Sequence, residues 1–404
     1  MTAAEVLAGT VGFTASGPFG SNLVGRDYVT SGVPVIRGQN MSGRWVSGEF
    51  AFVSDEKANQ LSSNLAYAGD VVFTQRGTLG QVSLVPTEPY ERYVLSQSQM
   101  KLAPDPSKAD SLFLYYVFSS EGQQGYIRRN AVQSGVPHTN LAFLRSTPIR
   151  LPPVDEQRAI AGVLGALDDR IELNRRMNET LDTITEAMYR EWFGSEFDGP
   201  APPGWSSRPI GEVVSVRGGS TPRTSEPTFW DGDHAFATPK DLAGLRSPVL
   251  LGTERRITAE GVTQTNSGLL PRGTVLLSSR APIGYLAISE IPVTINQGFI
   301  AMVCDGELPN LYVLRWVKSN LDVIVGAANG TTFLEISKRN FRPIPVAIPP
   351  RELLDRFMGV AGDLHARVVA NLLESRTLAE LRDALLPKLI SGELRVRELS
   401  DSPQ

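Results

Sequence analysis

The loops of this 404-residue sequence are rich in side chains that pair with base edges and phosphates. Glycine-bearing stretches concentrate them: ASGPFGSNL, VIRGQNMSGRW, TQRGTLG, VRGGSTPRTSEPTFW and NGTTF. In the first half the candidates are Arg37, Gln39, Asn40, Gln75, Arg76 and Gln133. In the second they are Thr221, Arg223, Lys240, Arg280 and Gln297. Arginine and lysine can read guanine, and asparagine and glutamine can read adenine. Hydroxyls and backbone N–H groups serve phosphates. Surface loops are polar in any protein, so residue type by itself is weak support. Arg76 and Arg280 carry more, because they hold matching places in two similar stretches, AGDVVFTQRGTLGQVSLV and RGTVLLSSRAPIGYLAIS. For these two, the competing role is an ion pair that supports the fold.

Catalytic constellations are missing. Nothing matches the phosphate loop GxxxxGK[ST], and no GxGxxG stands between a strand and a helix. A DNA amino-methyltransferase would need [DNS]PP[YF], but the two Pro-Pro pairs here are followed by Val154 and Arg351. PDPSKAD, from Pro104, has carboxylates and a lysine without the spacing of a metal-dependent nuclease. His138, His234 and His365 are far apart and make no metal pattern. Cys304 is the one cysteine, which excludes an intrachain disulfide and a cysteine-cluster metal site. Its place in FIAMVCD reads as a buried strand. The expectation is a chain with no catalytic site, no metal and no cofactor of its own.

Composition bounds the class. With 41% hydrophobic and 20% charged residues the chain has the balance of a globular protein, long enough for two or three domains. No apolar run approaches the roughly 18 residues of a membrane helix, and MTAAEVLAGTVGFTASGPFG lacks the basic start of a signal peptide. A cytoplasmic protein is expected. The net charge of −4 argues at first against nucleic acid. Residues Pro152–Phe193 carry nine acids and five bases, however, and Pro349–Arg397 seven acids and eight bases. The segments outside them are therefore close to neutral, which leaves room for a basic face on each.

What must position these loops is written twice. Aligning Pro152–Pro153 with Pro349–Pro350 sets an offset of 197, at which Ile160 meets Phe357, Leu167 meets Leu364, Asn174 meets Asn371 and Leu181 meets Leu378. The repeat extends upstream: VLSQSQMKLA resembles TINQGFIAMV, LFLYYVFSS resembles LYVLRWVKS, and SGVPHTNLAFLRSTPIRLPP resembles NGTTFLEISKRNFRPIPVAIPP. Ile160, Leu164, Leu167, Ile171, Asn174, Asn178, Leu181, Ile184 and Met188 fall at steps of three and four, one stripe of a helix. The matching stripe runs through Phe357, Val360, Leu364, Val368, Asn371, Leu378 and Leu381. The first helix should stop near Gly194; at about 39 residues it would span roughly 58 Å. The second should run from about Glu352 and end at Pro387. Two matched stripes in one chain predict an antiparallel coiled coil with Asn174 and Asn371 fixing its register. The alternative is that each helix packs on its own globular segment. Strand-like runs such as GDVVFTQ and GTVLLSSR mark those segments as β-rich. The fold class is α+β: tandem globular domains at 1–151 and 197–348, long helices at 152–196 and 349–397, and a tail at 398–404.

At this point the residues match a known family. GPFGSNLVGRDYVTSGVPVIRGQNM and GGSTPRTSEPTFWDGDHAFATPKDL resemble the openings of two target-recognition domains of the specificity (S) subunit of type I restriction–modification systems. LPPVDEQRAIAGVLGALDDRIELNRRMNETL and LRDALLPKLISGELRV are similar to its two helical regions, and the likeness covers almost the whole chain. The resemblance implies that each domain reads half of a bipartite site in double-stranded DNA. It implies that the helices set the unread spacer, place the domains at opposite ends and dock two methyltransferase (M) subunits. S-adenosylmethionine would bind those partners, and a restriction (R) subunit would join them for cleavage in systems that have one.

Overall fold

The structure, a computed structural model, describes residues 4–131, 137–194, 203–280, 282–329 and 334–396. The chain divides into two compact units, residues 1–172 with 375–404 and residues 173–374. Each unit takes one β-rich segment together with a stretch of both long helices.

The first unit runs through β1 (Ala4–Leu7), β2 (Gly12–Ser16), β3 (Tyr28–Val29), β4 (Val33–Ile36), β5 (Ala51–Val53), α1 (Asp55–Gln60), β6 (Leu65–Tyr67), β7 (Val71–Thr74), β8 (Val82–Leu84), β9 (Arg92–Leu95), β10 (Gln99–Pro104), α2 (Ser111–Ser119), α3 (Glu121–Asn130), α4 (Leu141–Ser146) and β11 (Pro148–Leu151), then enters α5 (Val154–Phe193). Its sheets are β2-β10-β7-β8, β3-β5-β4-β9-β6 and the pair β1-β11. The second unit follows with β12 (Ser206–Pro209), α6 (Ile210–Val213), β13 (Ser215–Gly218), β14 (Trp230–Ala237), α7 (Pro239–Ala243), β15 (Val249–Leu250), β16 (Arg255–Ile257), α8 (Ala259–Thr263), β17 (Val275–Ser278), β18 (Leu286–Ser289), β19 (Val293–Ile295), β20 (Phe299–Val303), α9 (Asn310–Ser319), α10 (Leu321–Gly326), α11 (Lys338–Phe341) and β21 (Pro345–Ile348), before α12 (Arg351–Ser391). Its sheets are β13-β20-β17-β18-β15, β16-β14-β19 and β12-β21.

β7 reads VVFT and β17 reads VLLS, and every residue of both is buried. Unbroken apolar runs suit strands covered on both faces, where alternation would strand a polar side chain in the core. Cys304 lies just past the end of β20, partly buried against the core of the second unit. Burial pushes its thiol up to about 12, so it stays protonated and unreactive near neutral pH.

In each unit the start of one long helix lies beside the end of the other, so they run antiparallel. Ile160 and Leu164 of α5 share a core with Leu389 of α12 and with Val71, Phe113 and Phe118. Tyr189 and Phe193 of α5 share another with Leu354 and Phe357 of α12 and with Tyr312 and Trp316. Pairing between helices and packing on a globular segment therefore occur together. The polar interruption sits on the seam: the Asn371 side-chain amide donates to Asn178 Oδ1 at 2.8 Å, and Asn174 Nδ2 donates to the Asn371 carbonyl at 3.3 Å. Of the stripe residues, Ile160, Leu164, Asn174, Phe357, Val368 and Asn371 are buried, and Leu167, Ile171, Leu181, Leu364 and Leu378 are half-buried.

Two expectations about the helices fail in detail. Ile184, Val360 and Leu381, placed on the stripes by their spacing, are more than 40% exposed, while Thr185 and Ala361 are buried. The buried face of α5 advances from Asn174 to Asn178, Thr185 and Tyr189, and a strict run of threes and fours drifts off that face because the helix repeats every 3.6 residues. In addition, α12 continues past Pro387 to Ser391. An interior proline costs about 3 kcal/mol. Full burial of Leu389, with Leu386 and Ile390 packed on the same core, offsets it at roughly 1.5–3 kcal/mol per fully buried side chain.

Candidate nucleic-acid interface

In both units the loops that leave neighbouring strand ends converge. β4 is parallel to β9, and β14 is parallel to β19, so paired strands exit on the same side. In the first unit the turn after β9 is the hub. Ser96 N donates to Ile36 O at 3.0 Å, Gln75 N to Ser98 O at 2.7 Å, and Gly17 N to Gln99 O at 2.8 Å. The second unit repeats the pattern with other residues: Asn296 N donates to Ala237 O at 3.1 Å and Ser279 N to Gly298 O at 2.8 Å. The loop after β2 or β13 crosses this hub so closely that only glycine fits. A Cβ on Gly17 would stand 1.8 Å from Ser96 O, and one on Gly219 1.9 Å from Ile295 O. The turn after β4 or β14 is capped alike in both: Asn40 Oδ1 accepts from Arg37 N at 3.1 Å, and Asp241 Oδ2 from Thr238 N at 2.8 Å.

In the first unit this arrangement brings Arg37, Gln39, Gln75 and Arg76 onto one loop cluster. Arg37 is half-buried, with no partner for its Nε. Gln39 is exposed and donates to Glu49 O at 3.2 Å. Gln75 is 8% exposed, and its Oε1 has no partner. Arg76 is exposed. Asn40 differs from the expectation: it is 1% exposed, and its amide nitrogen donates to Ser47 O and Glu49 O while its oxygen caps the turn. Its polar atoms are spent on the loop, which makes it a support for its neighbours and not a reader of adenine. Gln133 lies outside the described residues, as do residues 330–333 of NGTTF.

In the second unit Thr221, Lys240, Arg280 and Gln297 are exposed, and so is Arg223. Thr221 donates its hydroxyl to Gln297 Oε1 at 2.8 Å, so Gln297 holds the glycine-rich loop. Lys240 pairs with Glu254 at 2.7 Å. Arg280 and Arg76 keep their matched places in space: the Arg76 backbone bridges to His138 and the Arg280 backbone to Glu335. Arg280 also forms an ion pair with Glu335 at 3.1 Å, with both side chains about half exposed. Among the described residues Arg76 has no ion-pair partner.

Some contributors escape the sequence reading. Gln97 Nε2 donates to Gly20 O at 2.9 Å and Leu23 O at 3.0 Å, tying down the glycine loop of the first unit as Gln297 does in the second. The match of VLSQSQMKLA to TINQGFIAMV contained that signal. Gln81, which bonds to Thr74 and to Gly38 O, and Trp230, whose Nε1 donates to Arg223 O at 3.1 Å, were not marked by the repeat, because the course of their loops sets these partners.

Residues 25–183 and 202–353 each match the family described as the type I restriction modification DNA specificity domain. The chain is 23% identical over 409 residues to the type I restriction enzyme MjaIX specificity subunit of Methanocaldococcus jannaschii, covering 96% of this chain and 93% of that protein. It is 22% identical over 400 residues to the type I restriction enzyme HindI specificity subunit of Haemophilus influenzae, covering 81% and 86%. The fold is similar to the crystal structure of a type I restriction-modification system S subunit from M. genitalium, with a TM-score of 0.63 at 17% identity over 96% of each chain. Among the described residues no helix is long and apolar enough to cross a membrane.

Proposed function

This chain belongs to the type I restriction–modification DNA specificity family, and from that premise we propose that each of its two units reads one half of a bipartite target in double-stranded DNA. The observation that carries the reading is the loop cluster built twice. The backbone bonds at the hub recur, while the side chains on it differ, Arg37–Gln39–Gln75 in one unit and Thr238–Lys240–Ser279 in the other. A shared scaffold with different readers suits two different half-sites in one target. α5 and α12 set the spacer between the half-sites and offer docking faces to two methyltransferase (M) subunits. Those partners bind S-adenosylmethionine and transfer the methyl group; this chain supplies specificity and no catalytic group. Restriction (R) subunits complete the assembly where cleavage occurs, in the cytoplasm with the DNA.

Expressing the chain with its methyltransferase subunit and mapping methylated adenines genome-wide tests this. A split motif with a constant gap is the expected result, and inserting one heptad into α5 should lengthen the gap or abolish recognition. A well-formed complex that methylates no split motif, or an insertion that leaves the gap unchanged, overturns the reading.

A further inference from the structure

We propose that Arg255 is the guanine-reading side chain of the second unit, presented on a tryptophan platform; the inference rests on the DNA-reading function proposed above. Arg255 opens β16 and faces Phe236 of β14 across the antiparallel ladder. Its guanidinium carbon stands 3.6 Å from the centroid of the Trp230 ring. At that distance the group must lie nearly flat on the indole, because an edge-on approach would push a nitrogen about 1.3 Å closer, into the ring. A stacked guanidinium keeps its N–H fork in a fixed plane, the arrangement that meets O6 and N7 of guanine bidentately.

The platform is itself built in place. Trp230 is 9% exposed, its ring meets Phe236 edge-on at 5.3 Å, and its Nε1 is anchored on Arg223 O. The segment that follows it bulges out of register between Trp230 and His234. Asp231 there has φ of 60°, a left-handed conformation outside glycine, and such backbone persists where the surroundings over-determine it, often at functional sites. Arg256, the next residue along β16, is spent on this bulge, donating to the carbonyls of Gly232 and Asp233. Arg255 is not spent. Among the described residues no carboxylate lies within ion-pair distance of it, and its sequence neighbour Glu254 is held by Lys240. The Arg223 loop also carries Thr221, which is bonded to Gln297, so the platform is joined to the loop cluster already described. Arg223, Lys240, Arg255 and Arg256 stand among Glu226, Asp231, Asp233, Asp241 and Glu254 in these loops. With no surplus of positive charge, this part of the cluster favours base-edge recognition over a phosphate clamp.

The test uses the full chain in complex with its methyltransferase subunit. Binding is measured by competition on duplexes in which each base of the second unit's half-site is changed in turn. The wild-type complex should require guanine at one position there. Arg255→Ala should lower cognate binding about tenfold to a hundredfold. It should lose discrimination at that position, leave the other half-site unaffected and keep the salt dependence of binding. Arg255→Gln, which retains an aliphatic stem, should move the preference at that position toward adenine, and Arg255→Lys should lose the bidentate preference. These two variants decide the question if the alanine variant does not fold. The inference is overturned if the half-site contains no guanine requirement, if the variants discriminate as the wild type does, or if they weaken all sequences uniformly with a shallower salt slope, the mark of a phosphate contact. A wild-type complex that recognises no bipartite sequence overturns the underlying functional reading, and this inference with it.

Discussion

Arg280→Ala and Glu335→Gln should act on DNA binding in opposite directions. Arg280 is paired with Glu335 at 3.1 Å, at side-chain exposures of 50% and 47%. An ion pair that open to water contributes about 0.2–1 kcal/mol. If Arg280 leaves Glu335 to meet DNA, that amount is the penalty for engagement, and Glu335→Gln removes it. The variant should bind cognate DNA about 1.4- to 5-fold more tightly. Arg280→Ala should instead weaken recognition of the second unit's half-site and leave the first intact. If the contact is to a phosphate, the slope of log affinity against log salt should fall by about 0.9. Arg76 provides the internal comparison, since it occupies the matching position without an ion-pair partner among the described residues. Arg76→Ala should cost more binding to its own half-site than Arg280→Ala costs at the other, by about the energy of the missing pair. The assay is titration of half-site-substituted duplexes at several salt concentrations, with a thermal melt of each variant. A fall of several degrees in the Arg280→Ala melt, or weaker binding by Glu335→Gln, would refute this reasoning and make the arginine a fold support.

Three further outcomes follow from the packing. Gly219→Ala forces a Cβ to 1.9 Å from Ile295 O, so it should displace the glycine loop and abolish recognition of one half-site while circular dichroism stays unchanged; retained recognition would show that the loop can move aside. Leu389→Ala should destabilise the first unit by about 2–5 kcal/mol, and because Leu389 also offsets Pro387, hydrogen exchange past residue 386 should rise to that of a frayed end. The hydrogen bond from His365 holds the Glu290 carboxyl below its ordinary range, with Arg272 adding to the effect against the opposing influence of burial. Its stabilisation is therefore present above the ordinary glutamate value of 4.5 and lost as pH falls through the lower folded value. Glu290→Gln should melt lower than the wild type at neutral pH, and the gap should close in acid; a gap that does not change with pH would count against the linkage.

The sequence by itself determined the repeat, the two long helices, the β-rich segments and the order in which they come. Each is encoded locally: an apolar stripe at helical spacing, β-branched runs, prolines at the helix starts, and an offset of 197 residues between the two helices that shifts by a few residues upstream. The matched positions of Arg76 and Arg280 were legible for the same reason. Only the tertiary structure decided what the loop residues are free to do. Asn40 and Gln297 have the chemistry of base readers, yet Asn40 is buried and consumed in its own loop, while Gln297 is exposed with its Oε1 accepting from Thr221. Nothing in VIRGQN or TINQG distinguishes an engaged amide from a free one, because the folded path of the loop sets the partners: Asn40 bonds to Arg37, Ser47 and Glu49, and Gln297 to Thr221, 76 residues away. The same holds for Arg255 and Trp230, which are 25 residues apart and meet only because β14 and β16 pair across a bulge. Pro387 makes the point for the helices: the local rule that proline ends a helix was outweighed by burial of Leu389 in a core whose other buried residues precede it by more than 200 positions.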